Sequence, residues 1–291
     1  MNLHLASRID NMQISRYSPK SSLSKPADLF REMARDLKAG QELAVRLALR
    51  DFTAQYRQSY AGYVWAILPP LLASAAFLIL RSGNVLNPQG IYIPYAAYLF
   101  IGMILWQIFV ESLMAPAKVL TASKDMMIKV NFPRAALILS AIYTALIGLA
   151  IRMAVLLPVL LYFRIPPSWE VLFFPLGLAA IVLLGSAIGL LVATASLLYT
   201  DFGRGLQMIT NIWMFLTPVF FAAERGGILG KVMTINPVTH VLLPTRDWLT
   251  GVPVHDLTGF FIVTTGSILF LLLGWLVFHL TLPRLIERMG M

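Results

Sequence analysis

Residues 171–199 read VLFFPLGLAAIVLLGSAIGLLVATASLLY, without one charged side chain. A helix needs about 20 predominantly apolar residues to cross the hydrocarbon of a bilayer, and this stretch exceeds that length. Five more runs of the same kind flank it, at about 64–82, 93–115, 135–163, 205–222 and 258–282. The run at 64–82 is short and holds Pro69-Pro70; the run at 205–222 holds Thr210, Asn211, Thr217 and Pro218. The expected fold is all-α, a polytopic membrane protein with six transmembrane helices.

Composition agrees. Of the 291 residues, 58% are hydrophobic and 13% charged, against roughly 45–50% and about 25% in soluble domains. That balance argues against a water-soluble fold and excludes a disordered chain. There is no cysteine, hence no disulfide framework, thiolate metal site or cysteine nucleophile. Four scattered histidines do not suggest a metal site either.

The net charge of +9 would suggest nucleic acid in a soluble protein. In a membrane protein it reports sidedness. Seventeen of the 23 Lys and Arg residues lie in 1–63, in 116–134, at Arg204, and at Arg284 and Arg288. Six spans put all of these on one side and leave only Arg81, Arg164, Arg225, Lys231 and Arg246 on the other. Both termini are therefore expected in the cytoplasm. No run of signal-peptide type occurs in the first 63 residues, so no cleavage is expected.

Two domains follow: a cytoplasmic segment 1–63 and a transmembrane domain 64–291. Within the first, residues 27–39 put Leu29, Phe30, Met33 and Leu37 on one helical face, between Pro26 as a start and Gly40 as a stop. This reads as an interfacial helix lying on the membrane, or as a helix packed on a cytoplasmic partner. Two charges interrupt the apolar runs, Glu111 and Arg152. Glu111 lies about 17 residues into a span entering from outside, roughly 26 Å deep. Arg152 lies equally deep in a span entering from the cytoplasm. Counted so, they sit near opposite faces and are not expected to pair; Arg152 either snorkels outward or lines a pathway. No series of acidic residues suggests a proton-coupled pump.

No ATP site is expected in this chain. The nearest approach to a P-loop, Gly226 to Lys231, has the wrong spacing and lacks the following Ser or Thr. Any ATPase must be a separate subunit.

A set of motifs in order carries a family resemblance. These are Arg50-Asp51-Phe52, Tyr56-Arg57-Gln58-Ser59, Gly62, Trp65 and Pro69, then Lys129-Val130-Asn131-Phe132-Pro133-Arg134. Tyr199-Thr200-Asp201-Phe202, Thr217-Pro218-Val219-Phe220, and Asn236-Pro237 with Arg246 and Gly251 follow. Together they resemble the ABC-2 type polysaccharide exporters, the permeases that move O-antigen, capsule and teichoic acid chains. Gln55, Ala61 and Thr200 depart from the usual pattern, and residues 1–25 have no counterpart. The resemblance implies a homodimer in the inner membrane, served by two ATPase subunits and carrying a lipid-linked polysaccharide, with no cofactor in this chain and no nucleic-acid partner. Other classes are an ABC-2 exporter of lipids or drugs, and a membrane-embedded glycosyltransferase. The second would need a carboxylate cluster that the chain does not show.

Three regions are candidates for that work. In the fifth run Thr210, Trp213, Thr217 and Phe220 share one helical face, opposite Ile209, Ile212, Leu216 and Val219. Alternating hydroxyls and rings suit a substrate channel for sugars, and suit ordinary helix packing too. Residues 223–257 hold short apolar runs broken by Pro237, Pro244, Gly251 and Pro253. They read as a re-entrant hairpin gating the outer mouth, with Asn236, Pro237 and Arg246, or as a plain exterior loop. The loop 118–134 sets Lys118, Lys124, Asp125, Lys129 and Arg134 around Met126, Met127 and Ile128. A short amphipathic helix there would dock on the ATPase, with Asp201 and the N-terminal helix as secondary contacts; a basic loop obeying the positive-inside rule is the other reading.

Overall fold

The computed structural model describes residues 26–57, 68–69, 71–76, 79, 91–130, 132–166, 168–198, 201–221, 227–254 and 256–289. These form α1 (Pro26–Arg57), α2 (Tyr95–Ala122), α3 (Lys124–Lys129), α4 (Ala135–Tyr162), α5 (Phe174–Leu198), α6 (Asp201–Phe215), α7 (Gly227–Ile235), α8 (Pro237–Thr250) and α9 (Leu257–Met289). A 3-10 turn, Trp169–Phe173, leads into α5. No strand occurs among the described residues.

Among them, four helices are long and apolar enough to cross a membrane: Tyr95–Ala122, Ala135–Tyr162, Trp169–Ser196 and Leu257–Leu282. The expected first span, 64–82, falls mostly outside the described residues. The expected fifth, 205–222, is not one continuous helix. Helix α6 ends at Phe215, because Pro218 has no N–H to continue the ladder and disfavours a helical Thr217. Its 15 residues reach about 22 Å, short of a hydrocarbon core of about 30 Å.

Helix α2 is the axis, with 21 of its 28 residues buried. It packs on α5 along one side and on α4 along another, and α9 covers the far side of α5. Gly185 and Gly189 make the α2–α5 contact close. A Cβ at Gly185 would lie 2.7 Å from the Phe109 carbonyl oxygen, and one at Gly189 would collide with the Leu113 carbonyl. The outer faces of α5 and α9 keep Leu176, Ile262, Leu269 and Phe270 exposed, as lipid-facing surfaces require.

Gly40 does not stop α1. The helix continues to Arg57 and lies along α4, with Met33, Ala44, Leu47 and Ala48 buried in the contact. A glycine inside a helix costs only about 1 kcal/mol. Here it lets α1 approach until a Cβ would stand 3.0 Å from the Ala136 nitrogen.

Glu111 and Arg152 do pair, contrary to the depth count. The Arg152 guanidinium donates to the Glu111 carboxylate and, at 3.1 Å, to the Gly148 carbonyl. Side chains lean toward the N-terminus of their own helix, and α2 and α4 run antiparallel, so the two reach toward each other. Each helix has 28 residues, about 42 Å, longer than the hydrocarbon core. Counting each depth from a different end therefore overstated their separation. Gly148 leaves the space that the carboxylate fills. The pair is part-buried; breaking a fully buried pair strands one charge at a cost of about 3–5 kcal/mol, an upper bound here, whereas removing both is far milder. Arg152→Met alone is expected to lower the melting temperature of the detergent-purified protein strongly, and Glu111→Gln with Arg152→Met to restore most of it. Equal losses in both variants would show that the pair has no such role.

Candidate functional site

Beyond Phe215 the chain turns at 216–221, and that turn exposes carbonyls that need donors. Helix α2 supplies two of them. The Tyr95 hydroxyl donates to the Phe220 carbonyl at 3.1 Å, and the Tyr98 hydroxyl to the Phe221 and Pro218 carbonyls at 2.8 and 3.3 Å. Arg246 of α8 donates to the Pro218 carbonyl at 3.0 Å, with its guanidinium carbon 3.8 Å from the centre of the Tyr98 ring. Arg246 is buried and forms no ion pair with a carboxylate among the described residues. The ring face and the carbonyl dipole take up its charge instead.

Asn236 ties the same turn to the short helices. Its side-chain oxygen accepts the Trp213 indole N–H at 3.0 Å and the Val238 N–H at 3.1 Å. Its amide donates to the Leu216 carbonyl at 3.1 Å and to the Thr217 hydroxyl at 2.8 Å. Asn236 is thus the N-cap of α8, Pro237 is its first residue, and Gly251 ends it in the left-handed conformation, the arrangement expected of such a triplet. Within 227–250 the chain is helical except at Asn236: α7 and α8 are two short helices, with Pro244 inside the second, and Gly251 and Pro253 lie in the connection to α9. Most of α8 is buried, packed on α5, α9 and the 3-10 turn.

A second polar knot closes the far side of α8. The His240 Nδ1 meets the Asp256 carboxylate, and its Nε2 lies 2.8 Å from the Thr234 carbonyl oxygen. Asp256 also accepts the Gly259 N–H at 2.8 Å, capping α9. Burial pushes the Asp256 carboxyl up, but the Gly259 N–H and His240 outweigh it and hold it below its ordinary value.

Of the predicted stripe, Thr210 and Trp213 lie on α6, while Thr217 and Phe220 fall in the turn beyond its end, so the four do not share one helical face. Thr210, Thr217 and Phe220 are buried, and Trp213 is half-buried against Trp106 and Phe109, with ring centres 6.3 and 5.4 Å away. Met208, Ile209, Ile212, Phe215 and Leu216 are exposed on the other face. A cavity of about 310 Å³ borders Trp213, Asn236 and Pro237.

At the opposite end of α2, residues 124–129 form the expected short helix, with Asp125 in its first turn and Lys129 in its last, as the helix dipole favours. Both are exposed, and Arg134 beside them is half-buried at the start of α4. Lys129, Arg134, Phe132 and Leu282 share a cavity of about 320 Å³. Asp201 is exposed and 3.8 Å from Arg204, and no ion pair among the described residues joins it to α3. Three His, Asp or Glu side chains placed to hold a metal ion do not occur among the described residues.

Tyr95, Tyr98, His240 and Asp256 escaped the sequence reading. The tyrosines stand three apart at the mouth of an apolar run, which is a usable signal for a shared polar target. His240 and Asp256 are 16 residues apart and carry none.

Long apolar helices packed through glycine, a broken helix pair at one end and a basic amphipathic helix at the other define a multi-pass membrane protein of the transporter type. The chain belongs to the ABC-2 type transporter family, whose profile matches residues 43–246. It is 25% identical to the O-antigen export system permease protein RfbA of Myxococcus xanthus over 213 residues, covering 72% of this chain and 81% of that protein. A Klebsiella pneumoniae protein of the same name is 24% identical over 239 residues, 79% of this chain and 91% of that one. The protein is therefore a permease of the ABC-2 type.

Asn236→Ala removes the cap and leaves the Trp213 N–H and the Leu216 carbonyl without their partner. A lost cap costs about 1 kcal/mol and a stranded buried group about 1–3 more. The expected result is a clear fall in melting temperature, with Asn236→Asp, which keeps the acceptor, losing less. Wild-type stability of the alanine variant would contradict this reading.

Proposed function

We propose that this chain is the membrane subunit of an ATP-driven exporter that moves a lipid-linked polysaccharide of O-antigen type outward across the inner membrane. The observation that carries the proposal is the alignment, over most of both chains, with permeases named for O-antigen export. Two copies of the chain enclose the path, and two ATPase subunits drive it from the cytoplasm, where both termini lie.

The geometry fits a division of labour. Helix α3 with Asp125, Lys129 and Arg134 meets the ATPase, and Asp201 at the start of α6 and the helix α1 lie on the same side as secondary contacts. An exposed amphipathic helix carries a push well, because its short length and flanking turns move it as one piece. Helix α6 borders the path. Among the described residues its outer face of Met208, Ile209, Ile212 and Phe215 is exposed, and Trp213 opens onto the cavity beside Asn236. Thr210, Thr217 and Phe220 hold that wall in place behind it. Weak contacts with the rings of Phe215 and Trp213 let a sugar chain slide, since passage requires binding loose enough for release.

Helices α7 and α8 form the outer gate, held by Asn236, Pro237 and Arg246. At 14 residues α8 spans about 21 Å, too short to cross the bilayer and long enough to enter it. A short helix such as α8 is tolerated at membrane depth because the surrounding protein buries it and satisfies its ends.

Supplied with its ATPase partner in a strain lacking its own O-antigen permease, the chain is expected to restore surface O-antigen. Trp213→Ala is expected to reduce that display severalfold while membrane insertion stays normal. Absence of surface glycan with the wild-type chain would refute the assignment; normal display with the variant would remove Trp213 from the path.

A further inference from the structure

Three connecting segments converge at the end of the bundle away from α3. Tyr92, Ile93 and Pro94 lead into α2, Phe163 to Pro166 leave α4, and Thr250 to Pro253 leave α8; together they enclose about 590 Å³. That size falls within the about 300–1,000 Å³ of small-molecule sites. The cavity belongs neither to the α6 wall nor to the Asn236 knot.

Its chemistry is mixed in a particular way. Tyr92 presents its ring almost fully, being 79% exposed, and Phe163 stands edge-on to Tyr162 at 5.1 Å. Arg164 is exposed and forms no ion pair among the described residues. Pro94, Pro166 and Pro253 stiffen all three walls, so little ordering is left to a ligand. Arg164 is also the only described residue other than glycine with positive φ, at 51°. The hydrogen bonds that close α4, from the Arg164 N–H to the Leu161 carbonyl and from the Ile165 N–H to the Leu160 carbonyl, hold that conformation and project a cation at the rim.

An acyl chain would gain nothing from a guanidinium, and a small free anion nothing from rings. Rings that accept the C–H face of a pyranose, beside a planar fork of donors for hydroxyl or carboxylate oxygens, suit a saccharide. The geometry points to an oligosaccharide-binding site at the outer end of each protomer, formed by Tyr92, Phe163 and Arg164 on a proline-stiffened rim. Its occupant is a segment of glycan that has already emerged, and holding it opposes backsliding between strokes. This rests on the export function proposed above.

The test uses the full chain in nanodiscs and, as probe, lipid-free O-chain oligosaccharides released by mild acid from the strain in which export is scored. Saturation-transfer NMR is expected to show binding by the wild type. Arg164→Gly and Tyr92→Ala are each expected to weaken it about tenfold, as loss of one hydrogen bond to a charged group or one ring contact implies. Glycine adopts positive φ freely, so Arg164→Gly is expected to melt no lower than wild type, which separates binding from folding. No binding by the wild type, or unchanged affinity in both variants, overturns the site. If the wild-type chain restores surface glycan while the oligosaccharide does not bind, the site alone is lost. If the wild-type chain fails to export, the function it rests on is lost.

Discussion

The contact between Gly185, Gly189 and helix α2 is the constraint on which the rest of the molecule depends. Lipid tails are as apolar as leucine, so helices in a bilayer gain little from burying apolar surface against each other. Close backbone approach and tight packing take over. Two glycines one turn apart on α5 let it lie against the Phe109 and Leu113 carbonyls of α2, and no other residue would. That approach makes α2 the axis. From it Glu111 points to Gly148 and Arg152 on α4, Trp106 and Phe109 to Trp213, and Tyr95 and Tyr98 to the turn after α6.

Backbone polarity explains the end of the bundle away from α3. Breaking α6 at Pro218 frees carbonyls that lipid cannot solvate. Tyr95, Tyr98, Arg246 and Asn236 satisfy four of them between Leu216 and Phe221. The same donors hold α6, α8 and α2 to one another, so the break is also the joint.

Much of this was legible in residues 171–199 and their neighbours. The apolar runs mark the long helices, and the short amphipathic stretch at 124–129 marks α3. The same quoted stretch also contains Gly185-Ser186-Ala187-Ile188-Gly189, a small-residue spacing that signals close helix packing. What stayed hidden depends on partners distant in the chain. Gly40 looks like a stop until Ala136 is seen beside it, and Glu111 and Arg152 look misaligned until the lean of their side chains is counted. Thr210, Trp213, Thr217 and Phe220 read as one helical face, and the break before Pro218 puts the last two in a turn instead. Asn236-Pro237 with Gly251 spells a helix start and stop, and the prolines around them obscured it.

The central claim is directional movement of a lipid-linked glycan by this permease with an ATPase partner. Reconstitute the purified pair in sealed vesicles carrying lipid-linked O-antigen in the leaflet facing the ATPase. Then follow its accessibility to a lectin confined to the other side. The account predicts lectin capture that grows with ATP and not with a non-hydrolysable analogue. Capture at the same rate without ATP, or none with it, would contradict the account.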